Sequence, residues 1–146
     1  MGAMADTSSS GPPDRLHHVP AGSLSDDTAQ TAGMRRREAV AGRTVGSTAV
    51  WMGETRMAPG TRSGDHHHGD TETAIYVVAG HPRFVFRAEG REVVIATAPG
   101  DYVFVPPWVP HREENPSPDT EAVVVIARSS QDAVVVNLAG LGPLGP

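Results

Sequence analysis

The sequence predicts an all-β fold, a small antiparallel sandwich or barrel, and three observations carry that reading. From Thr44 onward the chain is a succession of short runs rich in β-branched and aromatic residues. Turn-forming clusters separate them: APG at 58–60, AGHP at 79–82, AEG at 88–90, APGD at 98–101 and NPSPD at 115–119. Glycine (16) and proline (13) are frequent enough to interrupt any long helix, and hardly any segment has a helical period.

Strands are predicted near residues 45–57, 74–78, 83–88, 91–97, 102–105, 121–127 and 133–137. Many short strands with close turns need two layers, or one closed layer, to bury their apolar faces. Only residues 34–41 look helical. Two runs, IYVV at 75–78 and VVVI at 123–126, are apolar at every position. A strand with one buried face alternates, so these runs predict cover on both faces and hence a homodimer.

At 146 residues the chain is one domain's worth. Its bounds are set at 34–139. Residues 1–33 are polar and rich in Ser, Pro, Gly and Asp, which predicts a disordered or loosely ordered arm, with residues 1–3 a cloning scar. Residues 140–146 are expected to be a flexible tail.

A net charge of −5 without a basic stripe argues against nucleic acid or an anionic membrane as partner. The absence of cysteine excludes disulfides, thiolate metal sites and a cysteine nucleophile. No apolar run resembles a signal peptide or a membrane span, so a cytoplasmic location is expected.

The chemistry concentrates in two stretches. The first, GTRSGDHHHGDTETAIYVVAG at 60–80, contains three consecutive histidines. On an extended strand His66 and His68 point to one face and His67 to the other. The second, GDYVFVPPWVPHREEN at 100–115, has Pro106, Pro107 and Pro110 forcing a rigid bend that delivers His111. Alternation from His111 puts Glu113 on the same face, where it is a candidate general base or a carboxylate orienting an imidazole. Solvated surface roles are the alternatives for His67 and Glu113. Arg56 and Arg83 are candidates for gripping a carboxylate substrate.

Together these stretches resemble the cupin superfamily, in its small, single-domain, metal-binding form. Its first motif, G-x5-H-x-H-x3,4-E-x6-G, aligns with Gly60, His66, His68, Glu72 and Gly80. Its second, G-x5-P-x-G-x2-H-x3-N, aligns with Gly100, Pro106, Trp108 in place of glycine, His111 and Asn115. The likeness covers residues 43–139. It implies a double-stranded β-helix, or jelly-roll barrel, holding one divalent transition metal (Fe, Mn, Ni, Cu or Zn) on His66, His68, Glu72 and His111. It also implies a small-molecule substrate. Dioxygenase-type chemistry is favoured over a zinc- or other Lewis-acid-dependent isomerase, lyase or cyclase. A non-catalytic small-molecule-binding cupin is the alternative from a different class.

The sequence departs from the pattern twice. Seven residues, not six, separate Glu72 from Gly80, so counting back from Gly80 the carboxylate position falls on Thr73. Either a bulge turns Glu72 inward as a ligand, the reading adopted, or the metal has no carboxylate and the site is three-His. Trp108 in place of glycine predicts a turn that needs no positive φ.

Overall fold

Ten strands in two antiparallel sheets make up the computed structural model, which describes residues 15–142. In chain order they are β1 (Met34–Val40), β2 (Trp51–Met57), β3 (His66–His67), β4 (Thr73–Ala79) and β5 (Arg83–Ala88). They continue with β6 (Arg91–Ala96), β7 (Tyr102–Val105), β8 (His111–Glu114), β9 (Ala122–Arg128) and β10 (Val136–Asn137). One sheet has the order β1-β2-β9-β4-β7 and the other β10-β3-β8-β5-β6. Strands distant in sequence are neighbours in both, which makes this the all-β jelly-roll sandwich that the turn-rich sequence predicts.

Alternation decides what each sheet buries. Along β4 every second residue from Thr73 is buried, so Ile75 and Val77 enter the core while Tyr76 and Val78 stay 37% and 46% exposed. Ile75 and Val77 pack with Phe84 of β5, Val105 of β7 and Val124 of β9. Each such burial contributes on the order of 2 kcal/mol. The apolar run of β4 therefore has one covered face within a single chain, and its outer face joins exposed Tyr102 and Phe104 of β7.

Residues 34–41, expected to look helical, instead contribute edge strand β1. Its register against β2 pairs Met34 with Met57 and Arg37 with Glu54. Cross-strand packing of Met34 against Met57 and Ala122 outweighs the weak local preference of a short charged segment. Of the sequence 45–57, expected as one strand, Val45 ends a helical turn begun at Gly42 and the strand β2 starts only at Trp51.

Residues 15–33 run against this edge. Ser25 exchanges backbone hydrogen bonds with Glu38 at 3.0 and 2.7 Å, and Gln30 accepts one from the Arg36 N–H at 2.8 Å. The proposed scar and the rest of 1–14 lie outside the described residues, as does 143–146 of the proposed tail.

The closing residue of each motif fixes the loop around it. Asn115 is buried and donates to the carbonyls of Met57, Ala58 and Thr120, at 3.0, 3.3 and 2.8 Å. Gly80 lies at φ +79° with Ala122 so close that a Cβ would sit 2.8 Å from its Cα, which only glycine tolerates. The expectation for Trp108 is corrected: its φ is +68°, so the Pro-Pro turn keeps the left-handed backbone for which the family uses glycine. The Trp108 N–H donates to the Gly69 carbonyl at 2.8 Å, which ties this turn to the histidine strand.

Candidate metal centre

The two histidine-bearing stretches meet by strand pairing. Short β3 pairs with β8 so that His66 lies opposite His111. His68, two residues beyond His66, faces the same way. The three imidazole centroids are 4.5–5.0 Å apart. Glu113, two residues along β8, brings its carboxylate to the same face. One ligand atom from each of His66, His68, His111 and Glu113 lies within 4.8 Å of the others.

The imidazoles are oriented as a metal needs them. Nδ1 of His66 faces the Gly64 carbonyl at 2.8 Å, Nδ1 of His68 that of Val134 at 2.8 Å, and Nδ1 of His111 that of Val109 at 3.0 Å. A carbonyl only accepts, so all three rings carry their proton on Nδ1 and turn an unprotonated Nε2 to the centre. Nε2 of His111 is buried with no hydrogen-bond partner among the described residues, and the nearest carboxylate oxygen, on Glu113, is 3.7 Å away. A buried lone pair of this kind is costly unless something binds it. Three neutral imidazoles and one carboxylate suit a divalent transition metal, so the residues present fit the group that the sequence implies.

The electrostatics agree for His66 and His68 and differ for His111. Burial keeps His66 neutral and pushes the His68 pKa down to about 4. Burial works the same way on His111, but the Glu113 carboxylate outweighs it and holds that ring above its ordinary value. Burial would raise Glu113, yet His111, His66 and Arg36 together hold it well below the usual carboxylate range. Glu113 is therefore an anion in a nest of imidazoles, able to serve as a ligand.

The structure brings together His66, His68, His111 and Glu113, and it leaves Glu72 out. Glu72 is exposed one residue before β4. Its backbone accepts from the Ser129 N–H at 3.1 Å and donates to Ser129 Oγ at 3.0 Å. The only irregularity of β4 against β9 lies between Val77 and Ala79, too far along to turn Glu72 inward. Thr73 takes the inward position, as the count from Gly80 gave, and the carboxylate arrives from β8 instead. Glu113 thus stands within the cluster of the three imidazoles. His67 turns outward to Trp108, with ring centroids 5.6 Å apart.

A cavity of about 360 Å³ opens onto His68 and Glu113, with Thr71, Thr73, Arg36 and Arg128 in its wall. The arginines singled out in the sequence lie elsewhere. Arg83 pairs with Glu114 at 2.6 Å, and Arg56 with Glu54 and Glu121 at 3.1 Å. The signal that finds Arg128 is its phase, in step with inward-facing Val124 and Ile126 on β9.

The family model of the Cupin domain matches residues 53–127. No curated protein matches this chain. Among solved structures, an oxalate oxidase in complex with glycolate superposes with a TM-score of 0.63 at 20% identity, over 77% of this chain and 59% of that one. A Bacillus subtilis oxalate decarboxylase described with Mn(II) centres gives 0.64 at 21%, over 78% and 30%. Peruvianin-I, a cysteine peptidase from Thevetia peruviana latex, gives 0.63 at 14%, over 78% and 72%. This chain spans little more than half of the first and less than a third of the second. At such identities the likeness is one of fold. No helix among the described residues is long and apolar enough to cross a membrane.

Proposed function

The chain belongs to the cupin domain family, and from that premise we propose a mononuclear metal-binding enzyme acting on a small organic molecule, with His66, His68, His111 and Glu113 as the ligands. The observation that carries the proposal is the convergence of three Nδ1-protonated imidazoles and one carboxylate at the end of a cavity. A divalent transition metal held by these four residues would supply redox chemistry of the dioxygenase type, and that is the reading adopted. The fold's likeness to an oxalate oxidase and to a manganese-bearing oxalate decarboxylase supports that direction without identifying the substrate.

The chain's own residues have definable parts in this reading. The Gly64, Val134 and Val109 carbonyls keep the imidazoles in the binding tautomer. Glu113 lowers the charge of the centre, and the 133–137 segment both fixes His68 and walls the cavity against solvent. A second copy of the chain is proposed to cover exposed Tyr76, Val78, Tyr102 and Phe104, which a solution mass measurement checks.

Metal content by plasma mass spectrometry tests the centre. Wild type is expected to hold about one metal per chain, and the His66→Ala/His111→Ala double variant almost none. Glu113→Gln should weaken binding about 10–100-fold, while Glu72→Gln leaves it unchanged. Equal metal in wild type and the double variant would sink the centre. Loss in the Glu72 variant with retention in the Glu113 variant would sink the ligand set. A bound redox metal with oxygen consumption on phenolic or keto-acid substrates supports the dioxygenase reading. Zinc without oxygen consumption turns it to isomerisation or elimination.

A further inference from the structure

The inner faces of this sandwich carry two arginines, where apolar residues are the rule. In the run Arg35-Arg36-Arg37 of β1, alternation sends the outer two away from the core. Arg35 meets Asp26 at 3.0 Å and Arg37 meets Glu54 at 2.9 Å. Arg36 is left on the face of Met34 and Glu38, and Arg128 lies on the inward face of β9. Both line the cavity that reaches His68 and Glu113.

Each is held in place by neutral partners. The Arg128 guanidinium lies 3.9 Å above the Trp51 ring, and its Nε and Nη2 donate to the carbonyls of Ser130 and Gln131 at 3.2 and 3.4 Å. Nη1 of Arg36 donates to Thr31 Oγ1 at 2.8 Å and to the Ala29 carbonyl at 3.5 Å. Among the described residues no carboxylate lies within ion-pair distance of either, although six other arginines are so paired. Glu38, on the same face as Arg36, is already taken by Arg43 and by the Trp51 N–H, each at 2.7 Å.

Two like charges facing one confined space, with Glu113 the one carboxylate among the described residues of its wall, are costly unless a further anion joins them. Glu113 does not balance them once it binds a divalent metal, since the cavity then gains further positive charge. Thr71 Oγ1, buried in the same wall with no partner among the described residues, is one more group awaiting a ligand. Guanidinium forks match carboxylates in shape as well as charge.

We propose that Arg36 and Arg128 form a carboxylate subsite and that the substrate is a small organic acid, seated on the arginines at one end and reaching the metal at the other. The proposal rests on the metal-centre reading for the second contact only. The cavity volume suits a molecule of a few carbons, and Ile126 and Val135 offer its chain an apolar wall.

The test uses Co(II)-loaded full-length protein, read by the visible spectrum of the metal. 2-Oxoglutarate and 2-oxoadipate are titrated against 2-oxopentanoate and 2-oxohexanoate, which chelate alike but lack the distal carboxylate. Wild type should bind the diacids at least about tenfold tighter. Arg36→Met should cut the preference to under about twofold with Co(II) content unchanged. Arg128→Lys keeps an aliphatic stem against Trp51 in case a smaller residue unfolds the chain, and it too should lose most of the preference. No preference in wild type, or a preference kept by both variants, would overturn the subsite. If Co(II) does not bind at all, the metal reading fails, and the subsite is judged by thermal shift on metal-free protein. There, stabilisation by 2-oxoglutarate that depends on both arginines supports it, and an equal shift in wild type and variants refutes it.

Discussion

The interior of this sandwich has two ends of opposite character, and the histidine cluster lies between them. On one side His68 and Glu113 open into a cavity whose wall includes Arg36, Arg128, Thr71 and Thr73. On the other, His111 borders a cavity of about 350 Å³ lined by Phe84, Phe86, Ile95, Val103 and Val105. The same two sheets build both, and only the residues at inward positions differ. The apolar end supplies cohesion, because its groups gain by leaving water. At the polar end, charges are kept inside by neutral contacts and await a ligand, a cost that the apolar end must offset. Changes at the two ends should therefore separate stability from binding.

The largest expected effect comes from the apolar end. Phe84 is 4% exposed and packs on Ile75, Val77 and Val105. Phe84→Ala should cost about 3–5 kcal/mol in urea denaturation while leaving metal stoichiometry as it was. Loss of metal from folded Phe84→Ala protein would show that the two ends are one cooperative unit, and the division drawn here would fail.

How far this division could be read from the sequence depends on the kind of signal each residue leaves. His66 and His68 are legible because a spacing of two fixes a shared face whatever the rest of the fold does. Glu72 was not legible, since counting on from His68 gives it the carboxylate's place, counting back from Gly80 gives that place to Thr73, and the sequence reading follows the first count. Glu113 was legible as to face but not as to role. Whether a carboxylate near an imidazole is base or ligand depends on the distance across β3 and β8, which no local pattern encodes. The strand at 34–40 was obscured because its pairing with β2 is a tertiary matter, and without β1 the inward turn of Arg36 is invisible. Trp108 hid its left-handed backbone behind a side chain that rarely adopts one.

The next effect in size is a pH dependence that belongs to the polar end. In the metal-free protein His68 has a pKa near 4, lowered chiefly by burial, against its ordinary 6.5 when unfolded. Between those values the unfolded chain takes up a proton that the folded chain refuses, so stability falls as pH drops from about 6.5 to 4. The full difference amounts to about 3 kcal/mol, reached below pH 4 and absent above pH 6.5. His66 works in the same direction, and His111, whose pKa is raised, works against both. Thermal melts across this range should show His68→Gln with the shallower slope. A slope equal to that of wild type would mean that His68 is solvated, and the polar end would lose one of its defining residues.

The smallest effect is expected at Trp108, on the outer side of the cluster. Its ring is 62% exposed and meets His67 rather than the three inward imidazoles. Replacement by glycine removes a left-handed strain of about 1–2 kcal/mol but restores comparable freedom to the unfolded chain and gives up the contact with His67. The terms nearly cancel, so Trp108→Gly should shift stability by less than about 1 kcal/mol, with metal content unchanged. Gly80→Ala is the control, because there a left-handed φ coincides with a backbone only 2.8 Å from the new Cβ, and neither can yield. If Trp108→Gly proves as damaging as Gly80→Ala, the tryptophan ring is holding His67 and the histidine strand in place. The outer face would then share in building the metal centre, and the contrast between the two interior ends would no longer account for it alone.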